Sequence, residues 1–270
     1  MTRTATRIQT FRKLHESGCF VIPNPWDVGS AKLLEQLGFP ALATTSSGFA
    51  WSLGLPDTKT SIKQALEHFR LIAEAVAVPV NGDFEGGFAT EPEGVQANVT
   101  EAVSTGIAGL SIEDSTGNPD QPLYDFSLAL ERIQAAREAI EKSGTGVLLT
   151  ARTEGFITGR PDIEETIRRL TAFAKAGADC LYAPGLRTKE EIKRVVAAVA
   201  PKPVNVLVGS ELDTVEKLAA VGVRRISVGG ALARTAWTAF LNAAKDLANS
   251  GSFSQMTGAV SYGEMNQRFS

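Results

Sequence analysis

The sequence predicts an α/β fold of the closed (β/α)8 barrel type, and three observations carry that prediction. Eight strand-length apolar runs alternate with eight segments of helical pattern along the 270 residues. Most of these runs are continuously apolar, as expected of parallel strands covered on both faces. A glycine recurs just past a helix and just before a strand, in Leu37-Gly38-Phe39, Thr105-Gly106-Ile107, Ala176-Gly177-Ala178 and Val221-Gly222-Val223. Glycine at that position tolerates the left-handed backbone that ends a helix. Eight such units favour closure over an open doubly wound sheet.

Taken in order, residues 19–24 read as a first strand and 27–37 as a helix, and 41–46 follow as the second strand. Helix 61–76 precedes strand 78–83, and helix 93–104 precedes strand 108–113. Then come helix 127–142, strand 147–152, helix 162–176, strand 180–184, helix 189–199, strand 204–208, helix 214–220, strand 225–228 and helix 231–248. No linker-like stretch divides the chain, so residues 1–270 are expected to form one domain. Residues 231–270 supply its last helix and a C-terminal extension. Phe253, Met256, Tyr262, Met265 and Phe269 make that extension apolar enough to cap its own barrel or to pack on a neighbouring subunit, and the second is the expectation.

With 43% hydrophobic residues the chain can bury a sizeable core, and a net charge of −3 with interspersed signs leaves no basic footprint for nucleic acid. The basic N-terminal residues are not followed by an apolar segment, and no window approaches a membrane span, so a cytoplasmic protein is expected. Cys19 and Cys180 each open an apolar run and read as core thiols. His15 and His68 fall in helical segments, so a Ser-His-Asp or Cys-His arrangement is unsupported.

Barrel active sites are built at the carboxyl ends of the strands. Here those ends read Asn24-Pro25-Trp26, Thr45-Ser46-Ser47-Gly48, Asp83-Phe84-Glu85, Glu113-Asp114, Arg152-Thr153-Glu154, Pro184-Gly185, Gly209-Ser210 and Gly229-Gly230, after strands taken as apolar. Like charges about 4 Å apart repel by roughly 4 kcal/mol at an effective dielectric of about 20, so converging carboxylates imply a shared proton or a bound cation. Asp83, Glu85 and Glu113 offer oxygen alone, which suits Mg²⁺, with Mn²⁺ as the variant, better than zinc. Asp57 stands within reach of the same water shell. Arg152 either clamps a substrate anion or neutralises the acids beside it. Ser46-Ser47-Gly48 could present hydroxyls and N–H groups to an oxyanion, and Gly229-Gly230 reads as a plain tight turn rather than a phosphate site.

The run Thr44-Thr-Ser-Ser-Gly-Phe-Ala-Trp-Ser-Leu-Gly-Leu-Pro-Asp57, the segment Asp83-Phe-Glu-Gly-Gly87, Ser111-Ile-Glu-Asp114 and Ala151-Arg-Thr-Glu-Gly-Phe-Ile-Thr-Gly159 together resemble, in order and spacing, the isocitrate lyase/phosphoenolpyruvate mutase superfamily. The resemblance implies a TIM barrel whose Mg²⁺ site holds a 2-oxo acid or its enolate. It implies Asp83, Glu85 and Glu113 as metal-site acids, with Asp57 linked through water and Arg152, Asp57 and Glu113 serving catalysis. Ser47, Gly48, Phe49, Arg152 and Asn118 would contact a small-molecule carboxylate substrate. It also implies a homo-oligomer, a dimer or a homotetramer, with the last helix exchanged between subunits. The sequence departs from the lyases in the loop 115–124, which has no Cys, Lys or His, so the proton donor is left among Tyr124, Tyr182 and metal-bound water. A lyase cleaving a C–C bond of a 2-oxo acid or substituted malate through a pyruvate-like enolate is the expected function. A phosphonopyruvate-type P–C hydrolase or mutase, or a non-catalytic 2-oxo acid binding protein, are its alternatives.

Overall fold

The computed structural model describes residues 2–208 and 214–270, so the predicted strand end Gly209-Ser210 lies outside the described residues. Eight parallel strands form one sheet: β1 (Phe20–Ile22), β2 (Leu42–Ala43), β3 (Val80–Asp83), β4 (Gly109–Glu113), β5 (Leu148–Arg152), β6 (Cys180–Tyr182), β7 (Val204–Leu207) and β8 (Arg225–Ser227). Their order is β1-β8-β7-β6-β5-β4-β3-β2. The seam between β1 and β2 is bridged by the Ala43 N–H, which donates to the Pro23 carbonyl at 3.0 Å. The result is a (β/α)8 TIM barrel with its helices outside.

The helices start where the sequence supplies a cap. Asp27 with Ser30, Ser61 with Gln64 and Thr188 with Glu191 form reciprocal capping boxes, each satisfying two backbone donors that the first turn leaves orphaned. The four glycines that punctuate the repeat all take positive φ, from +86° at Gly38 to +101° at Gly177, as a helix end before a buried strand requires.

Outward-facing strand residues such as Leu110, Ile112, Leu149 and Ile226 pack against the helices in one buried cluster. The inward-facing set differs from expectation. Residues two apart share a face of a strand, which turns Asn81 with Asp83, Thr150 with Arg152, Asn205 with Leu207, and Arg225 with Ser227 to the interior. The strand read as apolar from 147 to 151 therefore carries a buried inward Thr150, and the barrel axis holds polar side chains.

The helical segment expected around His15 is a full helix. Arg3–Glu16 lies across the amino-terminal ends of the strands. Its Phe11 is fully buried against Gly109, and the His15 ring packs edge-on to Phe11 and Phe20 at centroid distances of 4.6 and 5.2 Å. Ser46–Ser52 is helical where a loop was expected, because Thr45 caps it by accepting from the Gly48 N–H. At the other end, Ala231–Ser250 buries only Ala233 and exposes Phe240, Leu241 and Leu247. The terminal helix Tyr262–Phe269 lies on Val28–Gln36 of its own chain, where the Gln36 side chain donates to the Arg268 carbonyl. Cys19 and Cys180 are free thiols, and no helix among the described residues is long and apolar enough to cross a membrane.

Both histidines are buried and neutral. Burial depresses His15 to about 3, with Arg225 adding to the effect, and it depresses His68 to about 4 against the pull of Asp27. A depressed histidine pKa means that the unfolded chain binds the proton more readily. The stability each contributes is therefore full above about pH 6.5 and lost as pH falls towards the folded values. Chemical denaturation should show a loss on the order of 2–3 kcal/mol per buried histidine between pH 7 and pH 4. His68→Phe should lose less over that interval than the wild type, and equal losses would show that His68 is not held neutral.

Candidate active site

The carboxyl end of the barrel holds a cavity of about 260 Å³ whose walls include Asp57, Asp83, Arg152, Tyr182, Ser46 and Ser47. A larger cleft of about 600 Å³, between residues 120–125 and 160–169, contains none of these six.

Arg152 is the centre of the charged cluster. Its Nη1 donates to Asp83 Oδ1 at 2.8 Å, its Nε donates to Glu154 Oε1 at 3.0 Å, and its Nη2 lies 3.3 Å from Glu113 Oε2. The strands dictate this meeting, because β4 and β5 pair Glu113 directly with Arg152 while Asp83 is in register with Ser111 two residues earlier on β4. Burial opposes the charge on Arg152, but Glu154, Glu113 and Asp83 outweigh it and hold the guanidinium firmly protonated. Of the two roles read for Arg152, neutralising neighbouring acids is the one its own side-chain contacts display.

Asp83 is fixed from three sides. Its Oδ2 accepts from the Ser46 N–H at 3.0 Å, its own N–H donates to Thr44 Oγ1 at 2.8 Å, and Ser111 Oγ stands 3.4 Å from Oδ1. Glu85 follows in a turn where it and Phe88 adopt positive φ, +47° and +55°, a conformation that costs side-chain-bearing residues of order 1–3 kcal/mol. The loop is held by the buried Arg132, which donates to the carbonyls of Gly86, Ala89 and Thr90, and by Asn98, which donates to the Gly87 carbonyl at 2.8 Å.

The acids outnumber their cation. Burial first, then Asp83 and Asp57, push Glu85 up to about 7. Burial raises Asp57, with Asp83 adding to it, and raises Glu113 well above the ordinary range against the pull of Arg152. A hard divalent cation relieves this excess, and the all-oxygen donor set suits one. Among the described residues, however, no three acidic, His or Cys side chains are gathered closely enough to ligate one ion directly. The physical reason is Arg152, which occupies the space between Asp83 and Glu113. The fit is to an ion that keeps much of its water, as Mg²⁺ does.

Several expected contacts are not assembled. Gly48 and Phe49 do not line the cavity. The Gly48 N–H donates to Thr45 Oγ1, the Phe49 N–H donates to the Thr45 carbonyl, and the Phe49 ring stacks on His68 at 3.9 Å. A Cβ at Gly48 would stand 2.7 Å from Thr45 and 3.0 Å from Trp26, so glycine there serves close packing. Asn118 sits exposed in a hairpin closed by the Ser115–Leu123 bridge, its Oδ1 accepting from the Asp120 N–H. Tyr124 also lies outside the cavity, under the Arg132 guanidinium at 4.1 Å. The Gly229 N–H is taken by Asn24 Oδ1 at 2.9 Å, and Gly230 packs against Ser47 and Trp51, as a tight turn would.

Other residues that were given no role also enter the site or support it. Glu154 is 3% exposed and shares Arg152 with Asp83. Asp114 is a structural brace, accepting from Thr153 Oγ1 at 2.8 Å, the Glu154 N–H at 2.9 Å and Arg169 Nη1 at 3.0 Å. Asn205, Ser227 and Arg225 line the cavity floor. Their signal was a polar residue at alternate positions inside strands otherwise apolar.

A model of the phosphoenolpyruvate phosphomutase family matches residues 11–248. A crystal structure from Burkholderia cenocepacia J2315, described provisionally as a lyase/mutase, superposes with a TM-score of 0.96 at 44% identity, over 99% of this chain and 97% of that one. Oxaloacetate decarboxylase of Rhodopseudomonas palustris (strain BisB5) is 28% identical over 258 residues, 92% of this chain and 86% of that protein. A phosphonopyruvate hydrolase in complex with oxalate and Mg²⁺ superposes with a TM-score of 0.85 at 25% identity, over 100% of this chain and 95% of that one.

Removing the cation at the centre of the cluster tests its electrostatics. Arg152→Leu should destabilise the metal-free protein by about 3–5 kcal/mol at pH 7, because buried carboxylates lose their partner. The loss should shrink at pH 5, where those carboxyls take up protons. A pH-independent loss in chemical denaturation would assign the effect to packing.

Proposed function

The chain belongs to the phosphoenolpyruvate phosphomutase family, within the isocitrate lyase/phosphoenolpyruvate mutase superfamily, and from that premise we propose that it is a Mg²⁺-dependent lyase cleaving a C–C bond of a 2-oxo acid or substituted malate through a pyruvate-like enolate. The superfamily is enzymatic and includes oxaloacetate hydrolases and decarboxylases, 2-methylisocitrate lyases and phosphonopyruvate hydrolases. One observation carries the reading. Asp57 and Asp83 share a small cavity with Arg152 and Tyr182, where an anionic substrate is disfavoured unless a cation accompanies it.

A divalent ion held by Asp83 and, through water, by Asp57, Glu85 and Glu113 would supply Lewis-acid polarisation of the substrate keto oxygen. The chain's own residues do the rest. Arg152 faces the carboxylate of the substrate while balancing Asp83 and Glu154, and the hydroxyls of Ser46 and Ser47, in the same cavity lining, offer hydrogen bonds. Negative charge grows on the keto oxygen as the C–C bond breaks, and fixed positive groups already in place lower that barrier. Tyr182, driven up to about 12 chiefly by burial, stays a neutral phenol at physiological pH and can give a proton. Tyr124, walled off by Arg132, is dropped from that role.

The similarity to a phosphonopyruvate hydrolase favours P–C cleavage as the second reading. Oxaloacetate, substituted malates, 2-methylisocitrate and phosphonopyruvate, assayed with and without Mg²⁺, separate the two. The expected outcome is turnover of a C–C substrate, abolished by chelator and reduced at least about 100-fold in kcat/KM by Asp83→Ala or Arg152→Lys. Oxalate binding without turnover of any member would leave a binding protein instead.

We further take the protein to be a cytoplasmic homo-oligomer, a dimer or homotetramer, with the exposed apolar face of Ala231–Ser250 and the C-terminal residues at the interface. Native mass measurement should give a multiple of the chain mass, and Phe240→Asp with Leu241→Asp should shift it to one chain. A wild-type monomer at micromolar concentration would refute the assignment.

A further inference from the structure

The cavity at the barrel mouth has two unlike sides. Ser46, Ser47, Asp57 and Asp83, which follow β2 or end β3, bring hydroxyls and carboxylates, and Arg152 at the end of β5 is paired with Asp83. On the side of β6, β7 and β8 the residues just past the strands, Ala183-Pro184-Gly185, Val208 and Val228-Gly229-Gly230, carry neither charge nor hydroxyl. The polar groups of that side, Tyr182, Asn205 and Ser227, belong to the strands themselves.

Two aliphatic side chains complete it. Leu207, the last residue of β7, is half-buried, and its Cδ1 would stand 3.1 Å from a Cβ at Gly229. Ile157, in the turn after β5, is 52% exposed although it lines the cavity. Ile22 and Ala43 line the cavity too, but both belong to the buried core. Ile157 and Leu207 stand outside that core and keep apolar surface free for a ligand.

The position of Ile157 is fixed from below. Its N–H and the Thr158 N–H both donate to the Glu154 carbonyl at 3.0 Å, and the Arg160 N–H donates to the Gly155 carbonyl at 2.8 Å. The Glu154 side chain meanwhile accepts from Arg152 Nε at 3.0 Å. One residue therefore holds both the guanidinium and the aliphatic turn, so their spacing is set before any ligand arrives. Gly185 lets the turn settle on the end of β6. At its φ of +92° a side chain is disfavoured, and a Cβ would stand 2.8 Å from Ile157 Cγ2 and 2.9 Å from Phe156 Cβ.

We propose that Ile157 and Leu207 form an aliphatic subsite that selects, among 2-oxo acids and malates, those carrying alkyl carbons on C3. The inference rests on the 2-oxo acid site read above and names the substrate class within it. Alkyl carbon laid on this surface removes both from water, whereas an unsubstituted acid leaves Ile157 wet. One buried methylene corresponds to about fourfold in affinity.

The test uses the full chain with Mg²⁺ and three acids that lack the scissile bond of a malate. Pyruvate, 2-oxobutyrate and 3-methyl-2-oxobutyrate add no, one and two carbons at C3. In calorimetric titration Kd should fall about fourfold with each added carbon. Ile157→Ser should flatten the series to under about twofold per carbon, and Ile157→Leu, which keeps the apolar surface, should retain the wild-type steps. In turnover, 3-methylmalate should exceed malate in kcat/KM by at least about tenfold. A Kd that stays level or rises along the series in the wild type would overturn the subsite. So would full steps in Ile157→Ser, or an Ile157→Leu series as flat as that of Ile157→Ser. Stepwise affinities with no turnover of any malate or oxo acid would overturn the lyase reading and support the subsite. Failure to bind any of the three acids would overturn both, and a wild type that prefers malate to 3-methylmalate would overturn the subsite alone.

Discussion

The mouth of the barrel is organised by one guanidinium among several buried carboxylates. Arg152 touches Asp83, Glu113 and Glu154, which arrive from β3, β4 and the end of β5. Burying such acids without a partner costs several kcal/mol each, so the cation and the acids are mutually obligatory. The balance is incomplete by design of the sequence, since Glu85 and Asp57 add charge that Arg152 does not reach directly. That surplus leaves the cavity with more acidic groups than its arginine offsets.

The second layer keeps the acids from relaxing away from one another. Arg132 ties the left-handed turn at Glu85 and Phe88 to three backbone carbonyls, and Arg169 with Thr153 pins Asp114 behind it. These interactions lie off the cavity, yet they determine where its carboxylates can point. The short hairpin at 115–123 joins this layer through Tyr124, which packs on Arg132. A loop with no reactive side chain thus contributes by supporting the turn that carries Glu85.

Below the cavity the barrel is filled by polar side chains, and the N-terminal helix closes it with Phe11 and His15. A buried arginine without an acidic partner among the described residues is tolerable there because Arg225 meets acceptors: an amide oxygen, a hydroxyl and a neutral imidazole. The same contacts give the interior a hydrogen-bond direction. From the closed base, polar side chains thus continue up to the cavity wall at Ser227.

The sequence by itself determined the repeating fold, because helix caps, C-terminal glycines and apolar runs are local features read over a few residues. It also located the acids Asp83, Glu85 and Glu113 and the arginine Arg152 at strand ends, since strand termini follow from the same grammar. Strand alternation could have exposed the inward Asn81, Thr150, Asn205 and Arg225, but continuous apolar neighbours on the helix-facing side masked it. Only the tertiary structure decided which partner each charge takes, because that depends on the register between strands about 30 to 70 residues apart and on the barrel's closure. It set Arg152 between the acids that sequence reading had brought together on an ion, took Gly48, Phe49, Asn118 and Tyr124 out of the cavity, and put Tyr182 into it. Distances of that kind arise from the closed sheet and have no counterpart in the linear order of residues.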